Sequence, residues 1–207
     1  MYSTRTATIN NEEFNSFYMP VGINNRVHLK EVNVNKTTNG RDFLEITFEN
    51  EDGQTATMTE WKNELNTWIK NADDLQKRDD QQFGRILQII DAVKGGHPEF
   101  EGSSFVEMIN WVKLTIGDTP NNTLLRLKVI YDKNGYTKVS NLGVFVEPMH
   151  VDEEKSQIKL FKNDLLERPV KADEEKPIDP LVEAAKEAQL LNTPVTETNT
   201  GDDNLPF

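Results

Sequence analysis

Two Asn-Gly dipeptides, Asn39-Gly40 and Asn134-Gly135, each stand between runs in which apolar and polar residues alternate. Glycine reaches positive φ without a steric penalty, and a short Asn-Gly connection closes an antiparallel hairpin. The chain is thereby committed to β-structure at two distant places. Before the first turn, Val27, Leu29, Val32 and Val34 form an apolar series that slips by one residue at Glu31, as a β-bulge in a bent strand requires. After it, Asp42 to Phe48 puts Leu44, Ile46 and Phe48 on one face. Glu51-Asp52-Gly53 turns the chain again, and Gln54 to Trp61 reads as a third strand with Ala56 and Met58 inward. Around the second turn, Leu125, Leu127, Val129 and Tyr131 alternate with Arg126, Lys128 and Ile130, and Tyr136 to Val146 is a final strand, broken at Gly143.

The stretch between the two hairpins is helical in pattern. Trp61, Leu65, Trp68 and Ile69 predict a short amphipathic helix over 61–75. Phe83, Ile86, Leu87, Ile90 and Val93 predict a stronger one over 80–94, capped by Asp79 or Asp80 and ended by Gly95-Gly96. Ser104 and Glu107 form a capping-box pattern before a third, with Phe105, Met108, Ile109 and Val112 as its buried stripe. The expected class is mainly β, or α+β: a five-stranded OB-fold barrel over 21–147, with a helical insertion at 62–118 between the third and fourth strands. The alternative is an α+β sandwich with helices on one face.

Residues 1–20 are a polar arm with scattered aromatics, and from Pro148 the texture turns charged. The 148–200 stretch reads as a linker. Within it Asp179-Pro180 offers a helix start, and residues 180–191 have the composition for about three turns, marginal alone in water. Asn192 to Gly201 has linker composition. The plan is a folded core, a disordered acidic tail and a tip at 201–207.

Hydrophobic residues make up 36% of the 207, so part of the chain is not expected to form core. There is no Cys, which excludes disulfide and thiolate chemistry and fits a reducing compartment. No apolar run approaches the roughly 20 residues that span a bilayer, and no N-terminal signal pattern is present, so a cytoplasmic protein is expected. The net charge of −12 opposes nucleic-acid binding on its face, but −7 of it lies in Pro148 to Phe207, with 7 Lys/Arg against 14 Asp/Glu.

Catalysis finds little support. His28, His97 and His150 belong to no motif, no metal-ligand spacing is present, and Gly95-Gly96 lacks the context of a phosphate loop. A non-enzymatic protein without a cofactor or metal is expected. Binding of a single strand needs cations along its backbone and aromatic faces for its bases. Arg26, His28 and Lys30 alternate with apolar positions in the first strand, and Lys36 and Arg41 flank its hairpin. Arg126 and Lys128 occupy the non-core phase of a later strand, and Lys133 and Lys138 flank the second turn. Phe43 is out of phase with Leu44, Ile46 and Phe48, so it either stacks with bases or lies under the arm or the insertion. Trp61 reads as core or as a second stacking residue. Trp68 and Trp111 fall in helical segments and are assigned to structure.

The last residues, Asp202-Asp203-Asn204-Leu205-Pro206-Phe207, join an acidic pair to a short apolar end. Such a segment has no core to join, but it can dock with Phe207 in an apolar pocket and its carboxylate on a basic clamp. It resembles the C-terminal tip of bacterial single-stranded-DNA-binding proteins. With the strand plan and the tether, the whole chain resembles a phage-encoded member of that family. The resemblance implies binding and protection of single-stranded DNA in replication, recombination and repair. It also implies recruitment of partner proteins by Asp202, Asp203, Leu205, Pro206 and Phe207. Asn204, the long insertion and the overall acidity depart from the family pattern, and the insertion leaves open whether the chain forms the homo-oligomer common among bacterial members. The alternatives are a non-DNA adaptor of a replication complex that docks through the tip, and a virion or assembly protein with an acidic tail.

Overall fold

The computed structural model describes residues 17–117 and 123–169. Of the expected 1–20 arm, residues 1–16 lie outside the described residues, as do the 180–191 helix and the 201–207 tip; its end is not a free arm, because Met19 is fully buried in the core and its N–H donates to the Thr55 carbonyl at 2.9 Å. Among the described residues, six antiparallel strands form one sheet: β1 (Gly22–Lys36), β2 (Asp42–Glu49), β3 (Thr55–Trp61), β4 (Leu125–Tyr131), β5 (Thr137–Val139) and β6 (Val146–Pro148). The order is β3-β2-β1-β4-β5, with β6 beside β4. Among the described residues, two α-helices fall between β3 and β4: α1 (Ala72–Lys94) and α2 (Phe105–Val112), the latter running into a π-helical turn over Lys113–Gly117.

All three hairpins close in the same way. Gly40, Gly53 and Gly135 have φ of 79°, 76° and 80°, and their N–H groups donate to Thr37, Asn50 and Asp132 carbonyls. Asn39 and Asn134 stay at negative φ. Each connection is thus a turn followed by a left-handed glycine, the three-residue hairpin loop. The glycine of each Asn-Gly pair supplies the geometry.

β1 is long enough to serve two neighbours. Its first half pairs with β4 and its second with β2. The predicted slip is present as a register shift between Leu29 and Glu31. A second shift lies between Asn24 and Val27, where Arg26 takes a φ of 57°. These bulges bend the strand, so that Val27, Leu29 and Val32 all reach the same core as Leu44, Ile46 and Phe48. Ile86, Ile90 and Val93 of α1 and Ile109 and Val112 of α2 close that core.

Three expectations change. Residues 62–70 are a non-helical loop, and α1 begins at Ala72, with the Asn71 side chain accepting the Asp74 N–H at 2.8 Å. Asp79 and Asp80 lie inside the helix instead of capping it. The apolar period starts only where α1 meets the sheet, while its first two turns are exposed and held by capping and by Asp73 and Asp74 at the positive end of the dipole. The final strand is broken around Gly143 as expected, but into two separate strands, β5 and β6, so the sheet has six strands where five were expected. Finally, residues 148–169 pack on the sheet instead of forming a tether: Ile158 and Asp164 are buried, and the Tyr131 N–H donates to the Leu165 carbonyl at 2.8 Å.

Candidate nucleic-acid interface

Alternation puts Phe43 on the outer side of β2, and the register places it opposite Trp61 of β3 and Asn35 of β1. The two rings stack, with centroids 4.5 Å apart and planes 27° from parallel. Such a pair contributes about 0.5–1.5 kcal/mol beyond the area it buries. Phe43 is half-buried and Trp61 remains 38% exposed. The guanidinium of Arg41, from the β1–β2 hairpin, lies 5.5 Å from the Trp61 ring centroid. Its Nη2 also reaches the Lys62 carbonyl at 3.4 Å and Glu64 Oε2 at 3.5 Å. Phe43 is therefore neither under the helices nor alone. The open question about both aromatics resolves as a joined, partly exposed platform with a cation against it.

A polar clamp fixes the platform from behind. Glu60 alternates inward from Trp61 and is buried. Its carboxylate accepts from Arg85 Nε at 2.8 Å and Nη2 at 2.9 Å, a forked pair, and from Gln82 Nε2 at 2.8 Å. Gln82 Nε2 also donates to the Trp61 carbonyl at 2.9 Å. Glu60, Gln82 and Arg85 tie β3 to α1 just beneath the exposed indole. Sequence reasoning missed all three, because partners more than twenty residues apart leave no local pattern.

The other predicted cations divide into three groups. Arg26, His28 and Lys30 lie toward the opposite end of β2, about 20 Å from Phe43 at the rise of a strand. There Arg26 pairs with Glu51 at 2.5 Å, Lys30 with Glu49 at 2.7 Å, and His28 approaches Glu49 at 3.4 Å. Hydrogen bonds from Lys30 and from Arg26 hold the Glu49 and Glu51 carboxyls below their ordinary range, and the same bonds raise Lys30 and Arg26. This end of the face is a set of satisfied ion pairs, with Glu31 nearby on the same surface; Glu45 lies between it and Phe43, two positions from the aromatic pair.

Arg126 and Lys128 are not on a binding face at all. Lys128 is fully buried, and its Nζ donates to the Leu142 carbonyl at 2.8 Å, the Lys159 carbonyl at 3.0 Å and Asp164 Oδ2 at 3.1 Å. Phe161 covers it, with the ring centroid at 4.6 Å. Arg126 is buried against Glu147 and bonded to Asn25 Oδ1 at 3.0 Å. Burial pushes Glu147 up, but bonds from Ser156, Arg126 and the Gln157 N–H outweigh it and hold the carboxyl below its ordinary value. The alternation of β4 was read correctly, but its polar side is sealed by the segment that follows β5.

The remaining cations stay near the surface. Lys36 is exposed and 3.4 Å from Asp42. Lys133 is exposed at the β4–β5 hairpin, and Lys138 is half-buried on β5. Residues 36–42 and 61–70 together hold four cations (Lys36, Arg41, Lys62, Lys70) and two carboxylates (Asp42, Glu64), a local excess of two positive charges on an acidic chain. No protein-family model matches the chain, and no curated protein matches it either. Among the described residues, no group of three His, Cys, Asp or Glu is placed to hold a metal ion, and no helix is long and apolar enough to cross a membrane.

Trp68 departs furthest from its expected role. It lies on the 62–70 loop with 85% of its surface exposed. Trp111 does take the structural role expected of it, stacking on Phe100 at 4.8 Å beside Phe83.

Proposed function

We propose that the protein binds single-stranded DNA at the hairpin end of the β1–β2–β3 face, keeping the strand unpaired and protected. The observation that carries this is the Phe43–Trp61 stack with Arg41 against it, beside the exposed cations Lys36, Lys62 and Lys70. Aromatic faces accept any base, and a neighbouring guanidinium suits the phosphate beside it. The strand connections support an OB-type barrel as the scaffold: β1 pairs with both β2 and β4, the helices fall between β3 and β4, and β3 and β5 bring Cα atoms within 8 Å of each other. In such barrels the face of the second and third strands and the loops beside it hold oligonucleotides. Lys36, Lys133 and Lys138 would then contribute along the strand, whereas Arg126 and Lys128 are withdrawn from the site.

On this reading the protein is a binding protein of replication, recombination and repair, acting in the cytoplasm, of an infected host if phage-encoded. The tip residues Asp202, Asp203, Leu205, Pro206 and Phe207 recruit partner proteins, a role that rests on their resemblance alone. Because the tip is anionic, it competes with DNA for the same cations, so deletion of 201–207 tightens DNA binding.

The carboxylate pairing of Arg26, Lys30 and Lys36 favours a second reading, a non-DNA adaptor that docks through the tip. Titration with oligothymidine, followed by tryptophan emission at two salt concentrations, separates the two. The first reading expects saturable quenching that weakens as salt rises. Absence of binding at low salt rejects it and leaves the adaptor.

A further inference from the structure

The loop over 62–70 carries the Trp68 side chain with 85% of its surface exposed. Its conformation is specified by Asn66. The Asn66 Oδ1 accepts the N–H groups of Trp68 at 2.8 Å and Ile69 at 3.0 Å, and its Nδ2 donates to the Glu64 carbonyl at 3.1 Å. The Asn66 N–H donates to the Ile69 carbonyl at 2.9 Å, and Ile69 itself is buried. An asparagine bonded in this way to the backbone that follows it offers an alternative to helix, which is why the helical spacing of Trp61, Leu65 and Trp68 is overridden here.

The base of the loop is tied down as well. Arg41 Nη2 holds the Lys62 carbonyl, and Asn63 Nδ2 donates to Asp79 Oδ1 at 2.9 Å. Ile69 anchors the far side. Between these ties the Trp68 indole projects into solvent, 85% exposed, next to Lys70 and with Leu65 also exposed. Trp68 and Leu65 are both exposed on this one ordered loop, and grouped exposed apolar side chains mark an interaction surface. Arg41 links the base of this loop, at the Lys62 carbonyl, to the Trp61 ring, so the loop that carries Trp68 leads directly out of the aromatic platform.

We propose that Trp68 is a second base-stacking platform, engaging a nucleobase of the same strand that lies over Phe43 and Trp61. The inference rests on the nucleic-acid reading and adds to it a second contact point. Two separated stacks set a minimum length on the strand. An oligomer long enough to reach both binds more tightly than one that reaches only one, without any change in sequence preference.

The chain has three tryptophans, so a W61F/W111F protein leaves Trp68 as its single indole reporter. Titrated with a 12-nucleotide oligothymidine, its emission is expected to fall, and an abasic deoxyribose-phosphate strand of equal length should leave it unchanged. In the otherwise unaltered chain, Trp68→Ala should weaken the 12-mer roughly 5- to 150-fold, the loss of one stack. Its unfolding midpoint should not move, because the side chain is exposed. If the 12-mer binds but lone Trp68 is not quenched and Trp68→Ala binds as the parent does, the proposal is overturned: Trp68 then faces a protein partner, and the Phe43–Trp61 site stands. If the parent chain does not bind the 12-mer at low salt, the nucleic-acid reading falls and this proposal falls with it.

Discussion

Lys128→Met tests the most unexpected feature of the molecule. Methionine matches the length of the lysine stem and removes the ammonium, together with its contact with the Phe161 ring. Three acceptors lose their donor at once: the Leu142 and Lys159 carbonyls and the Asp164 carboxylate. Both ionic partners have no solvent-exposed side-chain surface, so water does not replace the ammonium. Removing one member of a buried pair costs about 3–5 kcal/mol, because the other is left charged and unpaired. That is a large fraction of the roughly 5–15 kcal/mol that stabilises a domain. With a urea slope near 2 kcal/mol/M, the unfolding midpoint should fall by about 1.5–2.5 M. The double variant Lys128→Met/Asp164→Leu leaves no orphaned charge and should recover most of the loss. Urea unfolding followed by far-UV circular dichroism measures all three proteins. A shift under 0.5 M for Lys128→Met would refute the buried clamp and return Lys128 to the surface, where the sequence alone had put it.

Three further outcomes follow from the same contacts. The depressed Glu147 carboxyl contributes stability that is complete above the ordinary glutamate value of 4.5 and is lost as pH falls through its lower folded value, so Glu147→Gln should flatten the acid limb of a stability–pH profile below about pH 4.5. Asn71→Ala removes the acceptor of the Asp74 N–H and should cost about 1 kcal/mol, with faster amide exchange in the first turn of α1 and little change at Ile86 to Val93. Arg41→Glu should weaken oligothymidine binding and reduce its salt dependence while leaving the unfolding midpoint nearly unmoved, since an exposed pair such as Arg41–Glu64 contributes about 0–1 kcal/mol.

What could be read from the residues followed how local each signal was. The Glu31 slip and the glycines of the hairpins are visible because a bulge and a turn are built from adjacent positions. The start of α1 was misplaced because amphipathic periodicity reports only the part of a helix that meets the core; Asn71 caps two turns that touch little. The segment 62–70 carried a helical spacing, yet Asn66 competes for the same backbone N–H groups and prevails. Arg126 and Lys128 were misassigned for a different reason. A strand's alternation says which residues leave one core, but not what lies on the other side. Glu147 and Asp164, 21 and 36 residues further on, supply that cover. Phe43 and Trp61 were both singled out, but their pairing needed the register of β2 against β3, and the Glu60–Arg85 clamp behind them needed the placement of α1.

Photocrosslinking of the full chain to oligodeoxynucleotides containing 5-iodouracil, with the attached peptides mapped by mass spectrometry, tests where a strand would lie. The account predicts adducts in the 41–43 and 61–70 segments, concentrated at Phe43, Trp61 and Trp68 and lost as salt rises. Adducts confined to the ion-paired end of β1, or none at any salt concentration, would contradict it.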